Sequence, residues 1–272
     1  MGKFDGILIC TDLDGTLYKN DKTISKENKA AIEHFKREGG YFSFVTGRLP
    51  YYSQNAYEAA SPNVPFGCIN GGGLYDGEAQ RYIWKTELSK EALELVAHID
   101  GLFSDVGIQL CGFYKTYFAK ENGTTVRFRA TTGLPNITCD YHGFTEPIAK
   151  IMFCTDIEEE MQAIEKALRA HSLANKFDFV RSDRTLFEIL PKGVNKGVSI
   201  VKLSEYLKLD ISKIIAVGDY NNDVDMLRAA GCGIAVANAS PLALAAADAV
   251  TVSNEEHAIA RIIYDLEGGK LL

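Results

Sequence analysis

Two carboxylates, Asp12 and Asp14, stand at i and i+2 in the pentad Asp12-Leu13-Asp14-Gly15-Thr16, directly after the apolar run Ile7-Leu8-Ile9-Cys10. Anions this close repel each other unless a cation lies between them, so the pair predicts a hard, oxygen-seeking ion such as Mg2+. Three further groups could share a phosphate site with it. Thr46-Gly47-Arg48 offers a hydroxyl, a pliable backbone and a cation, all suited to phosphate oxygens. Lys196 supplies a second cation shortly after Gly193. Gly218-Asp219-Tyr220-Asn221-Asn222-Asp223 sets Asp219, Asn222 and Asp223 within five residues, a density that a merely solvated loop seldom needs.

Competing readings of these motifs fail on spacing. An EF-hand beginning at Asp12 needs Gly at its sixth position and Glu at its twelfth, where the chain has Leu17 and Thr23. One beginning at Asp219 meets Val224 and Ala230 at those places. The Gly-Lys-Ser/Thr of a P-loop is absent, and Gly231-Cys232-Gly233 lacks the third glycine of a dinucleotide fingerprint.

The elements that must hold these groups are strands that end where the polar residues begin. Short apolar runs bounded by polar residues read as buried strands of a parallel sheet. The runs ending at Cys10, Val45 (from Tyr41), Ile69 (from Phe66) and Val217 (from Lys213) have this form. In open α/β sheets the carboxyl ends of strands are where ligands bind. Ser25 caps an expected helix to about Arg37, with Ala31, Ile32 and Phe35 as its apolar stripe. Further helices are expected over Lys196–Leu207 and Val224–Ala230, and strands over Gly233–Val236 and Ala249–Val252.

The middle of the chain differs. Two amphipathic helices (Ser89–Leu102, Ile157–His171) alternate with short strand-like pieces at Gly107–Phe113, Thr116–Ala119, Ala149–Cys154, Phe177–Arg181 and Leu186–Leu190. A βαβ unit needs only about 30 residues, far fewer than lie between Thr46 and Lys196. The fold class expected is therefore α/β: a Rossmann-like parallel-sheet core from residues 1–80 and 191–272, interrupted by an inserted α+β domain at 81–190.

Taken in order, Asp-x-Asp-Gly-Thr, Thr-Gly-Arg, Lys and Gly-Asp-x-x-Asn-Asp resemble the motifs of the haloacid dehalogenase (HAD) superfamily of phosphohydrolases. More narrowly the chain resembles the Cof-type branch, with a type IIB cap between the second and third motifs. Asn70-Gly71-Gly72 and Asn238-Ala239-Ser240-Pro241 through Ala247-Asp248 also look like that branch, whereas Glu256-His257-Ala258-Ile259 departs from its usual closing segment. The resemblance implies a Mg2+-dependent phosphatase acting through an aspartyl-phosphate. Asp12 would be the nucleophile, and Asp14 the acid and then the base. Thr46 and Lys196 would bind the phosphoryl group. Mg2+ would be held by Asp12, the backbone carbonyl of Asp14 and Asp219, with Asp223 at the metal site as a ligand or support. Gly47, Arg48, Asn70 and Asn222 would contact substrate or orient those that do. The inserted cap would read the leaving group through residues on its loops and strand ends; Tyr114, Lys115, Arg127, Arg129, Arg181 and Arg184 are the candidates, with nothing in the sequence to choose among them and most charged residues there expected to be solvated surface. The histidines match no catalytic position.

A phosphotransferase or phosphomutase on a sugar phosphate would use the same aspartyl-phosphate chemistry, and a binding protein could retain the fold without the reaction. The intact set of Asp12, Asp14, Thr46, Lys196 and Asp219 speaks against the latter.

Composition bounds the partners. With 29 basic against 36 acidic residues the net charge is −7, which lacks the positive footprint that nucleic acid requires. A small phosphorylated metabolite remains suitable, because a metal reverses the charge of one pocket. The six cysteines form no Cys-x-x-Cys pair and read as reduced. No apolar stretch reaches the roughly 20 residues of a membrane span, and the first residues resemble neither a signal peptide nor a myristoylation signal. A cytoplasmic protein, monomeric or homodimeric, is expected.

Overall fold

A computed structural model describes residues 2–271. The chain runs β1 (Leu8–Thr11), α1 (Lys26–Arg37), β2 (Tyr41–Phe44), α2 (Gln54–Ala60), β3 (Phe66–Cys68), β4 (Gly73–Asp76) and β5 (Arg81–Lys85). It continues as α3 (Ala92–Leu102), β6 (Gly107–Cys111), β7 (Thr116–Lys120), α4 (Gly123–Thr132), β8 (Lys150–Cys154), α5 (Glu158–Ala170), β9 (Phe177–Asp183) and β10 (Leu186–Pro191). It closes with α6 (Lys196–Leu207), β11 (Ile214–Gly218), α7 (Val224–Ala229), β12 (Cys232–Ala235), α8 (Pro241–Ala246), β13 (Ala249–Val250) and α9 (Ala258–Glu267).

These elements form two units. The first comprises residues 2–48, Ser53–Lys85 and 195–271; the second comprises Leu49–Tyr52 and Thr86–Val194. Three boundaries differ from the expectation of 81–190, one of them because the second unit runs on past residue 190 to Val194. Arg81–Lys85 pairs antiparallel with β4, so the strand that closes the first unit extends past residue 80. Leu49–Tyr52, immediately after Arg48, folds with the second unit. There the Tyr51 hydroxyl lies 2.6 Å from the Thr116 hydroxyl and Tyr52 meets Phe128 edge-on. Nothing in local composition marks four residues for a distant partner.

In the first unit a five-stranded sheet has the order β13-β12-β11-β1-β2. Its pairs are parallel: Leu8 faces Ile214 and Tyr41, and Thr11 faces Val217 and Phe44. Strand β1 is buried throughout, as its uninterrupted apolar run requires. Leu8, Cys10, Ile214 and Ala216 pack against Ile200 and Leu203 of α6 and Met226 and Leu227 of α7. Helix α1 packs on α9; its cap is Ser25, whose hydroxyl accepts from the Asn28 amide at 3.1 Å. From β1 the chain moves outward to β2 on one side and returns through β11 to β13 on the other. The strand order therefore switches at β1, and ligand crevices form where such a switch meets the strands' carboxyl ends.

The second unit is an antiparallel sheet in the order β7-β6-β8-β10-β9. One face packs Ile108, Leu110, Ile151, Phe153, Phe187 and Ile189 against Leu95 and Ile99 of α3 and Met161, Ile164 and Leu168 of α5. The register places Gln109, Met152 and Glu188 across from one another, on the alternate face. That face buries an ion pair, Lys150 Nζ to Glu188 at 2.9 Å.

Helices α2, α4, α8 and α9 and the β4–β5 hairpin carry no assignment in the sequence reading. Helix α4 has no apolar stripe to betray it; a capping box between Asn122 and Thr125 and a left-handed Gly133 mark its ends instead. No helix among the described residues is long and apolar enough to cross a membrane.

Candidate active site

The chemistry-bearing residues gather at the carboxyl edge of the parallel sheet in the first unit. Asp12 follows the last residue of β1, and its amide donates to Val217 O of β11 at 2.8 Å, extending the ladder to this residue. Thr46 follows β2 by two residues, Asp219 follows β11 directly, and Lys196 is the first residue of α6.

Lys196 is the hub. Its side chain is 2% exposed, and its ammonium lies 2.6 Å from Asp12 Oδ1 and 2.5 Å from Asp223 Oδ1. The other oxygen of Asp223 accepts from the backbone amides of Asp219 and Tyr220 at 3.0 and 2.9 Å. Asp223 thus fixes the loop that presents Asp219 while it neutralises half of Lys196. Burial pulls the Lys196 ammonium towards neutrality, but the two carboxylates outweigh it and raise its pKa.

Oxygens of Asp12, Asp219 and Asp223 all lie within 4.8 Å of one another. Burial first, then mutual repulsion among the carboxylates, pushes Asp12 well above the usual carboxylate range despite Lys196. The same causes raise Asp219 to about 6. Carboxylates held together at this cost fit a bound divalent cation, which would return Asp12 and Asp219 to the ionised form. An all-oxygen donor set suits a hard ion such as Mg2+ and not a thiophilic one. Thr16, unassigned from sequence although it closes the pentad, donates its hydroxyl to Asp219 Oδ1 at 2.6 Å and fixes that rotamer. Gly15 allows the close approach: its φ is +84°, and a Cβ there would stand 2.4 Å from Asp219 Oδ2.

The Asp14 side chain points elsewhere. One oxygen accepts from Arg48 at 2.7 Å and the other from Lys22 at 2.9 Å. Burial would raise this carboxyl, but the two cations prevail and hold it below its ordinary value. Lys22 carried no signal in the sequence: it is one lysine in a polar turn, brought to Asp14 by the turn's closure.

The remaining expected residues form the opposite wall. The Thr46 hydroxyl accepts the Arg48 amide at 3.2 Å, and its carbonyl accepts the Asn70 amide at 3.1 Å. Gly47 lies against Asn70, where a Cβ would be 3.0 Å from the side-chain amide. The Asn222 amide donates to Asn70 Oδ1 at 3.1 Å, tying the loop that carries Asp219 to the loop after β3.

In the second unit, most of the polar candidates have local partners. Arg127 pairs with Asp156 and Arg129 with Glu121. Both Arg181 terminal nitrogens reach Glu158, one of them also the Arg184 carbonyl. Lys115 lies 4.0 Å from Glu146, and Tyr114 is 70% exposed.

A sequence profile of the haloacid dehalogenase-like hydrolases matches residues 9–263. The chain is 30% identical over 266 residues to a 5-amino-6-(5-phospho-D-ribitylamino)uracil phosphatase of Bacillus subtilis, covering 94% of this chain and 96% of that one. It is 26% identical to an HMP-PP phosphatase of Yersinia pseudotuberculosis, over 86% and 85% of the two chains. A haloacid dehalogenase-like hydrolase from Bacteroides thetaiotaomicron superposes with a TM-score of 0.83 at 23% identity, over 96% and 99% of the chains, which is a likeness of fold.

Proposed function

The chain belongs to the haloacid dehalogenase-like hydrolases and is a phosphoric monoester hydrolase; on that premise we propose that it is a Mg2+-dependent phosphatase that cleaves a small phosphomonoester through an aspartyl-phosphate. The observation that carries this reading is the hub itself: Lys196 buried between Asp12 and Asp223, with Asp219 close enough to share a cation.

Asp12 supplies the attacking oxygen. Its carboxylate bonds to phosphorus as the ester oxygen departs, converting one difficult hydrolysis into two displacements. The leaving oxygen takes a proton from Asp14, which then accepts one from the water that opens the aspartyl-phosphate, so the enzyme returns to its starting state with alcohol and inorganic phosphate released. In the structure both Asp14 oxygens are held by Arg48 and Lys22, which favour the ionised carboxylate, so one of these contacts must open and Asp14 must take up a proton before it can act as the acid. Lys196 and the Thr46 hydroxyl neutralise and orient the non-bridging phosphoryl oxygens. Asp12, Asp219 and the Asp14 carbonyl would hold the Mg2+, with Asp223, both oxygens already engaged, steadying the loop and the lysine. When bound, the ion supplies charge neutralisation of the transferring phosphoryl group.

For the substrate we infer a phosphorylated polyol or sugar, starting from the ribitylamino-uracil phosphate that the Bacillus relative's name carries. The test is phosphate release, with Mg2+ or EDTA, from that compound, sugar phosphates, HMP-PP and an aryl phosphate. The reading expects Mg2+-dependent release abolished by Asp12→Asn. Equal, slow release by wild type and Asp12→Asn refutes it, and isomerised sugar phosphate without release reassigns the chain to phosphotransfer.

A further inference from the structure

We propose that Asn238, in the loop after β12, is a positioning residue that sets the spacing between the two segments of the metal site. This inference rests on the Mg2+ reading above. The loop touches both segments at once. On one side the Val236 amide donates to Gly218 O at 3.2 Å and the Ser240 amide to Asp219 O at 2.7 Å, while the Ser240 hydroxyl donates to Asn221 Oδ1 at 2.8 Å. On the other side the Asn238 amide nitrogen donates to the Gly15 carbonyl at 2.9 Å.

Gly15 is the place in the pentad where such a hold has most effect. At φ +84° it adopts a backbone open to glycine, which has many other conformations available as well, so local sterics alone do not hold the Gly15–Thr16 peptide, next to that of Asp14, in this orientation. Two links from outside the turn fix it: Thr16 Oγ1 to Asp219 Oδ1, and Asn238 to Gly15 O. Asn238 is itself braced, because its Oδ1 accepts the Asn254 amide at 2.9 Å. Asn254, 2% exposed, in turn donates its side chain to Tyr18 O at 2.9 Å. The loops after β12 and β13 together therefore frame the turn from Gly15 to Tyr18 against the Asp219 loop. Mg2+ tolerates little departure from octahedral geometry at about 2.0–2.1 Å, and loss of an outer contact to a metal site typically costs about 10–100-fold in affinity or activity.

Asn238 is exposed and lies outside any helix or strand, so its removal is expected to spare the fold. The experiment titrates Mg2+ into wild type, Asn238→Ala and Asn238→Ser by calorimetry, with melting temperatures taken in EDTA. A serine hydroxyl is one bond shorter than the asparagine amide and does not reach Gly15 O. Both variants are expected to bind Mg2+ about tenfold more weakly, with an EDTA melting temperature close to wild type, and to recover kcat at saturating Mg2+. Affinities within twofold of wild type overturn the proposal. So does loss of the cooperative melt, which would assign Asn238 to the fold. Failure of wild type itself to bind Mg2+ is a separate result and refutes the metal reading instead.

Discussion

The ammonium of Lys196 lies 2.6 Å from Oδ1 of Asp12, a residue 184 positions away in sequence, and the contact is buried. A cation at that distance orients the Asp12 carboxylate and partly offsets the cost of burying its charge. Removing it leaves Asp12 and Asp223 facing each other with no counter-charge. Lys196→Met is therefore expected to lower kcat by about 10^2–10^3-fold and to destabilise the fold by roughly 3–5 kcal/mol. Steady-state rates and denaturant melts check both; unchanged stability would mean that the carboxylates find another partner.

Asp219 gives a pH prediction with a definite sign. Its carboxyl is raised from 3.8 to about 6, by burial and by Asp223. Between those values the folded, metal-free protein binds more protons than the unfolded chain. That contribution to stability is full below pH 3.8 and is lost as pH rises through 6. A cation needs the ionised carboxylate and gains as the proton leaves. The difference in melting temperature between Mg2+ and EDTA should widen from pH 5 to pH 7. A constant difference would remove Asp219 from the metal site.

Asp14 predicts a dependence on the leaving group. An alkyl phosphate needs its departing oxygen protonated, whereas a nitrophenolate leaves unaided. Asp14→Asn should cost an alkyl ester about 10^2–10^4-fold in kcat/KM and an activated aryl ester far less. Equal losses on both substrates would deny Asp14 the proton and leave it a structural partner of Arg48 and Lys22.

The second unit offers a test confined to stability. Lys150 and Glu188 are each 1% exposed and 2.9 Å apart, and Ser182 donates to Glu188 as well. Lys150→Met alone strands a buried carboxylate and should cost about 3–5 kcal/mol, while Lys150→Met with Glu188→Leu should recover most of it. Urea melts of the two variants decide; a double variant as weak as the single one would assign the loss to packing.

Much of the candidate site was legible in one dimension because all its motifs but Lys196 follow an apolar strand, and strand ends in a parallel sheet share one edge. The apolar run Ile7–Cys10 read as a buried strand of a parallel sheet; in the structure Leu8–Thr11 is a fully buried inner strand, and that burial carries Asp12 to the switch point. Ser25 and the stripe Ala31, Ile32 and Phe35 marked α1 for the same local reasons. Helix α4 was hidden because it lacks a stripe, and the β4–β5 hairpin because its strands carry mixed polarity at the surface.

By itself, then, the sequence determined the parts of the candidate site: two carboxylates on one turn, a hydroxyl, a lysine and a second acidic loop, each delivered by a strand end or a helix start. Tertiary structure alone decided how those parts divide the work. It turned Asp14 away from the acidic cluster onto Arg48 and Lys22, occupied both oxygens of Asp223, and placed Thr16 and Asn238 as braces on the pentad. Spacing along a chain reports which groups a turn carries. The direction of a carboxylate depends on donors that arrive from distant segments, and only closure of the sheet brings those donors within a hydrogen bond's length.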